Sequence, residues 1–341
     1  MSLLLLLLTS SHFTLSLSLD TITPTQPLND GQTLLSSSHT FQLGFFPSNN
    51  HRYVGIWYHN LPDHTIVWVA NRDNPLIGVN GTFSITRSGN LVLLDDKSNV
   101  VWSTTSQATK TTAHNKPMAR LLDNGNLVLL DGSWQSFDYP TDTMLPEMKL
   151  GWDRKTGLNR FITSWRSPDD PSTGDKLFKL DLHGLPQIML YDKVENRTDI
   201  LYRTGPWNGL RFSGSPEISS FGVFALQFTL TPNEAYYTYK VITNGTQLAR
   251  LVVTPTGVVQ WLVWMDKPKK WNQVWYAPKD PCSTYNKCGP NGVCNTSDIN
   301  QCECLKGFEP KVAQDWKMRD WSDGCVRRTR VCGGGGEGFV Y

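Results

Sequence analysis

The residues best equipped for covalent or metal-centred chemistry are seven cysteines, and all of them lie between Cys282 and Cys332. Their order is Cys282, Cys288, Cys294, Cys302, Cys304, Cys325 and Cys332, with none in the preceding 281 residues. Gly289, Pro290, Asn291, Gly292 and Gly307 lie among them, so the stretch is rich in turns and short of apolar material. A segment of this kind cannot bury enough core to fold unaided, and cross-links must hold it. Zinc is the rival chemistry. However, no histidine follows His183, and Cys302 and Cys304 are one residue apart, where thiolates sharing a metal need roughly two to four between them. Six cysteines leave about 15 pairings open by arithmetic. Cys332 is then left over, either bridging two chains, or free as a reactive thiol, or paired with a partner downstream; its place near the end of the chain favours the last.

No other constellation points to catalysis. A kinase needs a glycine loop over phosphates, a strand lysine and a His-Arg-Asp run, and Gly333 to Gly336 is a glycine run without these companions. The seven histidines are scattered and none sits in a site motif, so neither an enzyme nor a bound cofactor or metal is expected. The loop from Ser167 to Asp175, SPDDPSTGD, lacks the ligand spacing of a calcium loop and reads as a solvated turn.

A formal net charge of +2 over 341 residues is too balanced for a nucleic-acid binder, and the basic clusters Lys267–Lys270 and Arg327–Arg330 are short enough to be solvated turns. The first 19 residues carry an apolar run from Leu3 to Leu8 and no charge before Asp20. They read as a secretory signal, although the usual basic residue is missing, because the run falls far short of the ~20 apolar residues that cross a bilayer. Four acceptor motifs for N-linked glycans, at Asn80, Asn196, Asn244 and Asn295, agree with secretion.

The elements that must present any binding site are strands. GNLVLL occurs at Gly89 to Leu94 and again at Gly125 to Leu130, and Trp68, Trp102 and Trp134 recur at intervals of 34 and 32 residues. Short Val, Ile, Leu and Trp runs bounded by Ser-Gly, Asn-Gly and Asp-Gly predict a threefold β arrangement. Further on, FALQFTL, YYTYKVI, QLARLVVT and VVQWLVWM predict a second β-rich unit between Trp152 and Ala277. Its dense group, Trp261, Trp264, Trp271 and Trp275, is expected to be mostly core.

The first repeat region, from Asp20 to about Leu145, resembles the bulb-type mannose-binding lectins, which are three-sided β-prisms. Their pocket motif is Gln-x-Asp-x-Asn-x-Val-x-Tyr. At the matching positions this chain has Thr86, Ser88, Asn90, Val92 and Leu94 in one repeat, and Leu122, Asn124, Asn126, Val128 and Leu130 in the next. Asn and Val persist, at Asn90, Val92, Asn126 and Val128, but the Gln, Asp and Tyr are gone, and no copy precedes Trp68. Asn90 and Asn126 are either residual sugar contacts or turn residues that open their strands, and turn chemistry is favoured. No mannose affinity is expected.

From Ser133 the passages SWQSFDYPTDTMLPEMKLGWDRKTGLNRFITSW and LYRTGPWNGLRFSGSPE resemble plant S-locus glycoproteins and the ectodomains of S-domain receptor-like kinases. DPCSTYNKCGPNGVC and GCVRR follow in the order of that family. The resemblance implies an all-β chain in five parts: a signal at 1–19, a lectin-like domain at 20–145, a prism-like S-domain at 146–277, an EGF-like module at 278–325, and the start of a PAN/apple domain at 326–341. The EGF-like resemblance implies the pairs Cys282–Cys294, Cys288–Cys302 and Cys304–Cys325, with Cys332 belonging to the domain that follows. It also implies a recognition module with a peptide or protein ligand, such as a small cysteine-rich peptide that brings two copies together, on a secreted or membrane-tethered protein. A true carbohydrate-binding lectin, or the sensor part of an active receptor serine/threonine kinase, are the alternatives.

Overall fold

The computed structural model describes residues 20–104, 117–195, 197–220, 222–242 and 247–328. Nearly all regular structure is β, with one short α-helix, Ala313–Lys317, among the described residues. Two compact units divide the described residues: the first holds those up to Ile66 together with those in Asn74–Gln135, and the second holds Val67–Asp73 and those from Ser136 onward.

The first unit is built on three antiparallel sheets. One joins Thr21–Ile22, Ala119–Leu121 and Leu127–Leu129; another joins Val100–Ser103, Leu91–Leu94, Thr82–Ile85 and Leu28–Asn29. The third contains Thr33–Leu35, Phe41–Ser48, His51–Tyr58 and Leu76–Ile77, and its strand Ile66–Val69 carries the chain out at Val67. Alternating burial follows from alternating side-chain direction, and in Thr82–Ile85 only Phe83 and Ile85 are buried. Ile22, Leu43, Ile56, Phe83, Leu91, Leu121 and Leu127 form the innermost layer. Trp102 and Trp134 pack edge to face at 6.1 Å within this unit.

Trp68, the remaining member of the tryptophan series, belongs to the second unit, where its indole N–H donates to the Tyr139 carbonyl at 2.9 Å. Four residues later, Arg72 donates to the carbonyl oxygens of Pro171, Thr163, Ser164 and Ser172 at 2.7–3.3 Å. Asp73 accepts from both the backbone N–H and the hydroxyl of Thr173, each at 2.7 Å. These bonds correct the reading of Ser167 to Asp175 as a solvated turn. Only Pro168 and Asp169 turn, the strand Asp170–Asp181 starts directly after, and Pro171, Ser172 and Gly174 are buried. The Pro171 and Ser172 carbonyls find a guanidinium brought from about a hundred residues upstream, which no local pattern announces.

Outside the cysteine module, the described residues of the second unit again form three sheets, each four-stranded. The first contains Thr143–Met144, Ala249–Val253, Val259–Met265 and Lys270–Ala277. The next contains Leu158–Arg160, Leu150–Asp153, Glu234–Val241 and Phe224–Leu230. The last runs Ile162–Ser167, Asp170–Asp181, Gln187–Val194 and Arg197–Arg203. Trp261, 1% exposed, sits against Phe224 at 4.1 Å and Tyr239 at 4.4 Å, and the Tyr239 hydroxyl donates to the Met144 carbonyl at 2.9 Å. Trp264 and Trp275 are also buried, whereas Trp271 is half-buried under the Arg250 guanidinium. Gly151 is closed in by the neighbouring strand of its own sheet and by Leu180 of another. A Cβ there would lie 2.2 Å from the Ala235 carbonyl oxygen and 2.8 Å from Leu180 Cδ2.

The cysteine-rich module within the second unit has two small hairpins, Gly292–Cys294 with Cys302–Cys304 and Phe308–Pro310 with Cys325–Arg327. Its core is Cys288, Cys302 and Trp321, with Cys294 and Trp316 packed against it. Cross-linked sulfur and indole here replace the aliphatic core that so short a segment cannot assemble.

Candidate recognition surfaces

The two GNLVLL repeats build the same turn. In the first, Thr86 N–H donates to the Asn90 carbonyl at 2.8 Å and Gly89 N–H to the Thr86 carbonyl at 3.0 Å; in the second, Leu122 and Asn126 exchange the equivalent bond at 2.8 Å, and Gly125 N–H reaches Leu122 at 3.0 Å. Gly89 and Gly125 adopt φ of +91° and +86°, a region that admits glycine without strain. The strands Leu91–Leu94 and Leu127–Leu129 begin directly after the two asparagines.

Polar groups at the lectin-motif positions bond to the protein itself. The Thr86 and Ser88 hydroxyls lie 2.8 Å apart, and Thr86 Oγ1 also accepts from the Asn90 backbone N–H at 3.1 Å. Asn90 Oδ1 lies 3.5 Å from the Thr104 hydroxyl. Asn126 is buried and its amide donates to Gln135 Oε1 at 2.8 Å, while Asn124 Oδ1 accepts from the Asn126 backbone. Val92 is buried, Val128 is half-buried, and a leucine stands at each tyrosine position, with Leu130 half exposed. A sugar hydroxyl placed there would lose water without finding the carboxylate, amide and phenol that replace it.

A third copy of this turn, which the sequence reading missed, lies in the second unit. Thr254 N–H donates to the Val258 carbonyl at 2.9 Å, Gly257 N–H to Thr254 at 3.0 Å, and Val258 N–H to Thr254 Oγ1 at 3.0 Å. The Thr254 and Thr256 hydroxyls pair at 2.9 Å, as Thr86 and Ser88 do, and Gly257 has φ +80°. The surviving signal is a hydroxyl, one residue, a hydroxyl and a glycine before an apolar strand. Val258 stands where the first two copies have asparagine, so this copy has no amide to offer a sugar.

Beneath the surface of the second unit, Asp142 is buried near Arg72 and Arg250. Desolvation pushes its carboxyl up, against the pull of both guanidiniums and the Thr143 hydroxyl at 3.1 Å. Burial likewise lowers Arg72, opposed by Asp142, Asp73 and Asp170. With its carbonyl partners taken up, this cluster ties Val67–Asp73 into the unit and exposes no reactive group.

In the cysteine module the bonded pairs are Cys282–Cys294, Cys288–Cys302 and Cys304–Cys325, with Cα separations of 5.5, 5.4 and 5.7 Å. The sulfurs of Cys288, Cys294 and Cys302 lie within 4.8 Å of one another, but each is in a disulfide and offers no thiolate to a metal. Asn80 and Asn295 are exposed. Asn196, Asn244, Cys332 and residues 1–19 lie outside the described residues. A groove of about 630 Å³ opens on this module, lined by Leu305, Phe308, Trp316 and Trp321. Lys306, Lys317, Arg319 and Arg328 also line it, facing a single carboxylate, Glu303.

The D-mannose binding lectin family model matches residues 65–166, and the S-locus glycoprotein domain matches residues 202–312. The S-locus-specific glycoprotein S6 of Brassica oleracea is 45% identical over 94% of this chain and 74% of its own length. This chain belongs to the S-locus glycoprotein family. The receptor-like serine/threonine-protein kinase SD1-8 of Arabidopsis thaliana, 47% identical over 95% of this chain, is matched over only 39% of its own length. This member of the family therefore spans well under half of the receptor kinases it matches. Its lectin and S-locus glycoprotein domain matches make it an extracellular or secretory recognition region of the S-domain receptor type. Among solved structures, a two-domain fetuin-binding lectin of Scilla campanulata is 13% identical over 75% of this chain and 83% of its own, with a TM-score of 0.23. The mannose-specific snowdrop agglutinin is 15% identical over 30% of this chain and 86% of its own, with a TM-score of 0.18. Among the described residues, no helix is long and apolar enough to cross a membrane.

Proposed function

We propose that this S-locus glycoprotein family member recognises a peptide or protein ligand outside the cell and does not bind mannose. The observation that carries the reading is the state of the lectin motif: Thr86, Ser88, Asn90 and Asn126 bond within the chain, and the acid, glutamine and tyrosine of the pocket are absent. A fold derived for sugar binding then serves as a rigid β scaffold, and its loops and cysteine-rich module supply the contact surface. Asn80 and Asn295 accept glycans in this reading, which keeps those faces solvated. Joined to a kinase, as in the longer receptor-like relatives, the same region is the sensor that a ligand dimerises.

The test is chromatography of the secreted chain on immobilised mannose, alongside immobilised peptide pools. Passage through the mannose column with retention on peptide is expected. Retention on mannose with release by the free sugar would overturn the proposal and make the chain a lectin.

A further inference from the structure

Groove-lining residues of the cysteine module combine two features that rarely meet by chance on a disulfide-held surface. One is charge: Lys306, Lys317, Arg319 and Arg328 line it, all exposed, against the single acid Glu303. None of the module's other carboxylates lines the groove, and three of them are bonded elsewhere. Asp323 pairs with Lys311 at 2.9 Å, Asp320 accepts from Ser322, and Asp298 accepts from Asn300. The other feature is apolar, with Trp316 and Phe308 half-buried and Leu305 exposed along the same lining. Arg328 is held in place by donating to the Phe308 carbonyl at 3.1 Å.

We infer that this groove is a docking site for an extended acidic peptide segment of a partner protein, with alternating carboxylate and apolar side chains. The inference rests on the reading of the chain as a protein-binding module. Carboxylates spaced along such a segment meet the four cations, while the intervening side chains meet Trp316, Phe308 and Leu305; aromatic and arginine groups in one concave patch are the commonest anchors of protein interfaces. The intervening apolar side chains of a peptide bury against Trp316, Phe308 and Leu305, which the hydroxyl-covered chain of a polysaccharide does less well. That argues for a peptide over a polyuronate, which shares only the charge.

The test uses the secreted chain with its disulfides intact. A fluorescein-labelled peptide alternating Glu with Val and Tyr, its Gln-for-Glu counterpart and soluble polygalacturonate are titrated against the wild type, against Lys317→Glu/Arg319→Glu, and against a control reversal at exposed Lys155. The acidic peptide should bind, weaken with salt, and lose at least about tenfold in affinity in the groove variant but not in the control. The Gln peptide should bind at least about tenfold more weakly. Equal binding of both peptides, or no effect of the groove reversals, overturns the inference while leaving a protein ligand elsewhere intact. Polygalacturonate binding lost in the groove variant, without peptide binding, reassigns the groove to an acidic polysaccharide. Sedimentation showing a dimer that the same reversals dissolve reassigns it to self-association. Mannose retention, read on the separate column, is the result that would sink the underlying reading as well.

Discussion

Glu217 shows how a single carboxylate links the cysteine module's approach to the tryptophan-rich sheet. Its Oε1 accepts from the Trp275 indole at 2.8 Å and from Lys279 at 2.5 Å. Partial desolvation pushes its pKa up, but the bonds from Lys279 and Trp275 outweigh that and hold it below the usual glutamate value. A depressed folded pKa contributes stability that is present above the unfolded value and lost as pH falls through the folded one. Glu217→Gln should therefore flatten the acid limb of a stability curve below about pH 4.5. At neutral pH it should cost under about 1 kcal/mol, since the pair is partly solvated; urea unfolding followed by tryptophan fluorescence at several pH values checks both. Arg72 is the contrasting case, because its partners are buried. Arg72→Met should cost about 3 kcal/mol, leaving four carbonyls without their donor and Asp142 with Arg250 alone, and calorimetry should show it as a lowered Tm. A loss under about 0.5 kcal/mol would mean that water replaces the guanidinium and that the segment is held by Trp68 and Asp73.

Strands and turns carry the next level. The turn at Thr86–Asn90, Leu122–Asn126 and Thr254–Val258 needs a glycine at positive φ and a strand to follow, and it tolerates almost anything else. That tolerance explains why the motif's sugar ligands could be lost while the strand order stayed. It also explains why the third copy is hard to see in the letters, where TPTGVV shares little with RSGNLV beyond hydroxyl and glycine. Gly151 is less forgiving. Its φ of +136° and the 2.2 Å approach of a Cβ to the Ala235 carbonyl oxygen predict that Gly151→Ala destabilises by about 3 kcal/mol. Hydrogen exchange should show the loss concentrated in Leu150–Asp153 and Glu234–Val241, and uniform protection across both strands would contradict it.

For the whole molecule, the question is which parts stand alone. Two three-sheet units have aliphatic and aromatic cores, but the cysteine module has only Trp321, Trp316 and its bridges. Removing Cys304–Cys325 by a double serine substitution opens a loop of sequence separation 21 and should cost the module about 3 kcal/mol. The expected result is a module cleaved by protease near Phe308 while both β units keep their thermal transition. Simultaneous loss of all three transitions would show that the module is a structural part of the second unit.

Local pattern sufficed for several features. Alternation and turn residues specified strands, repetition of GNLVLL specified a threefold β arrangement, and the cysteine cluster specified a cross-linked module. These are properties of neighbours in sequence, and neighbours set backbone conformation. Fold decided the rest. Trp68 belongs by spacing to the first repeats, yet its indole bonds in the second unit, because the groups that satisfy Trp68, Arg72 and Asp73 are carbonyls and a threonine contributed from beyond Ser136. Ser167 to Asp175 reads as polar loop, yet Pro171, Ser172 and Gly174 within it are buried for the same reason. The groove cations are scattered from Lys306 to Arg328 among nearby acids, and only the packing of two hairpins and a helix turns Lys306, Lys317, Arg319 and Arg328 to one side while Asp320 and Asp323 bond elsewhere. Burial and charge convergence depend on contacts distant in the chain, and these exist only after the sheets have closed.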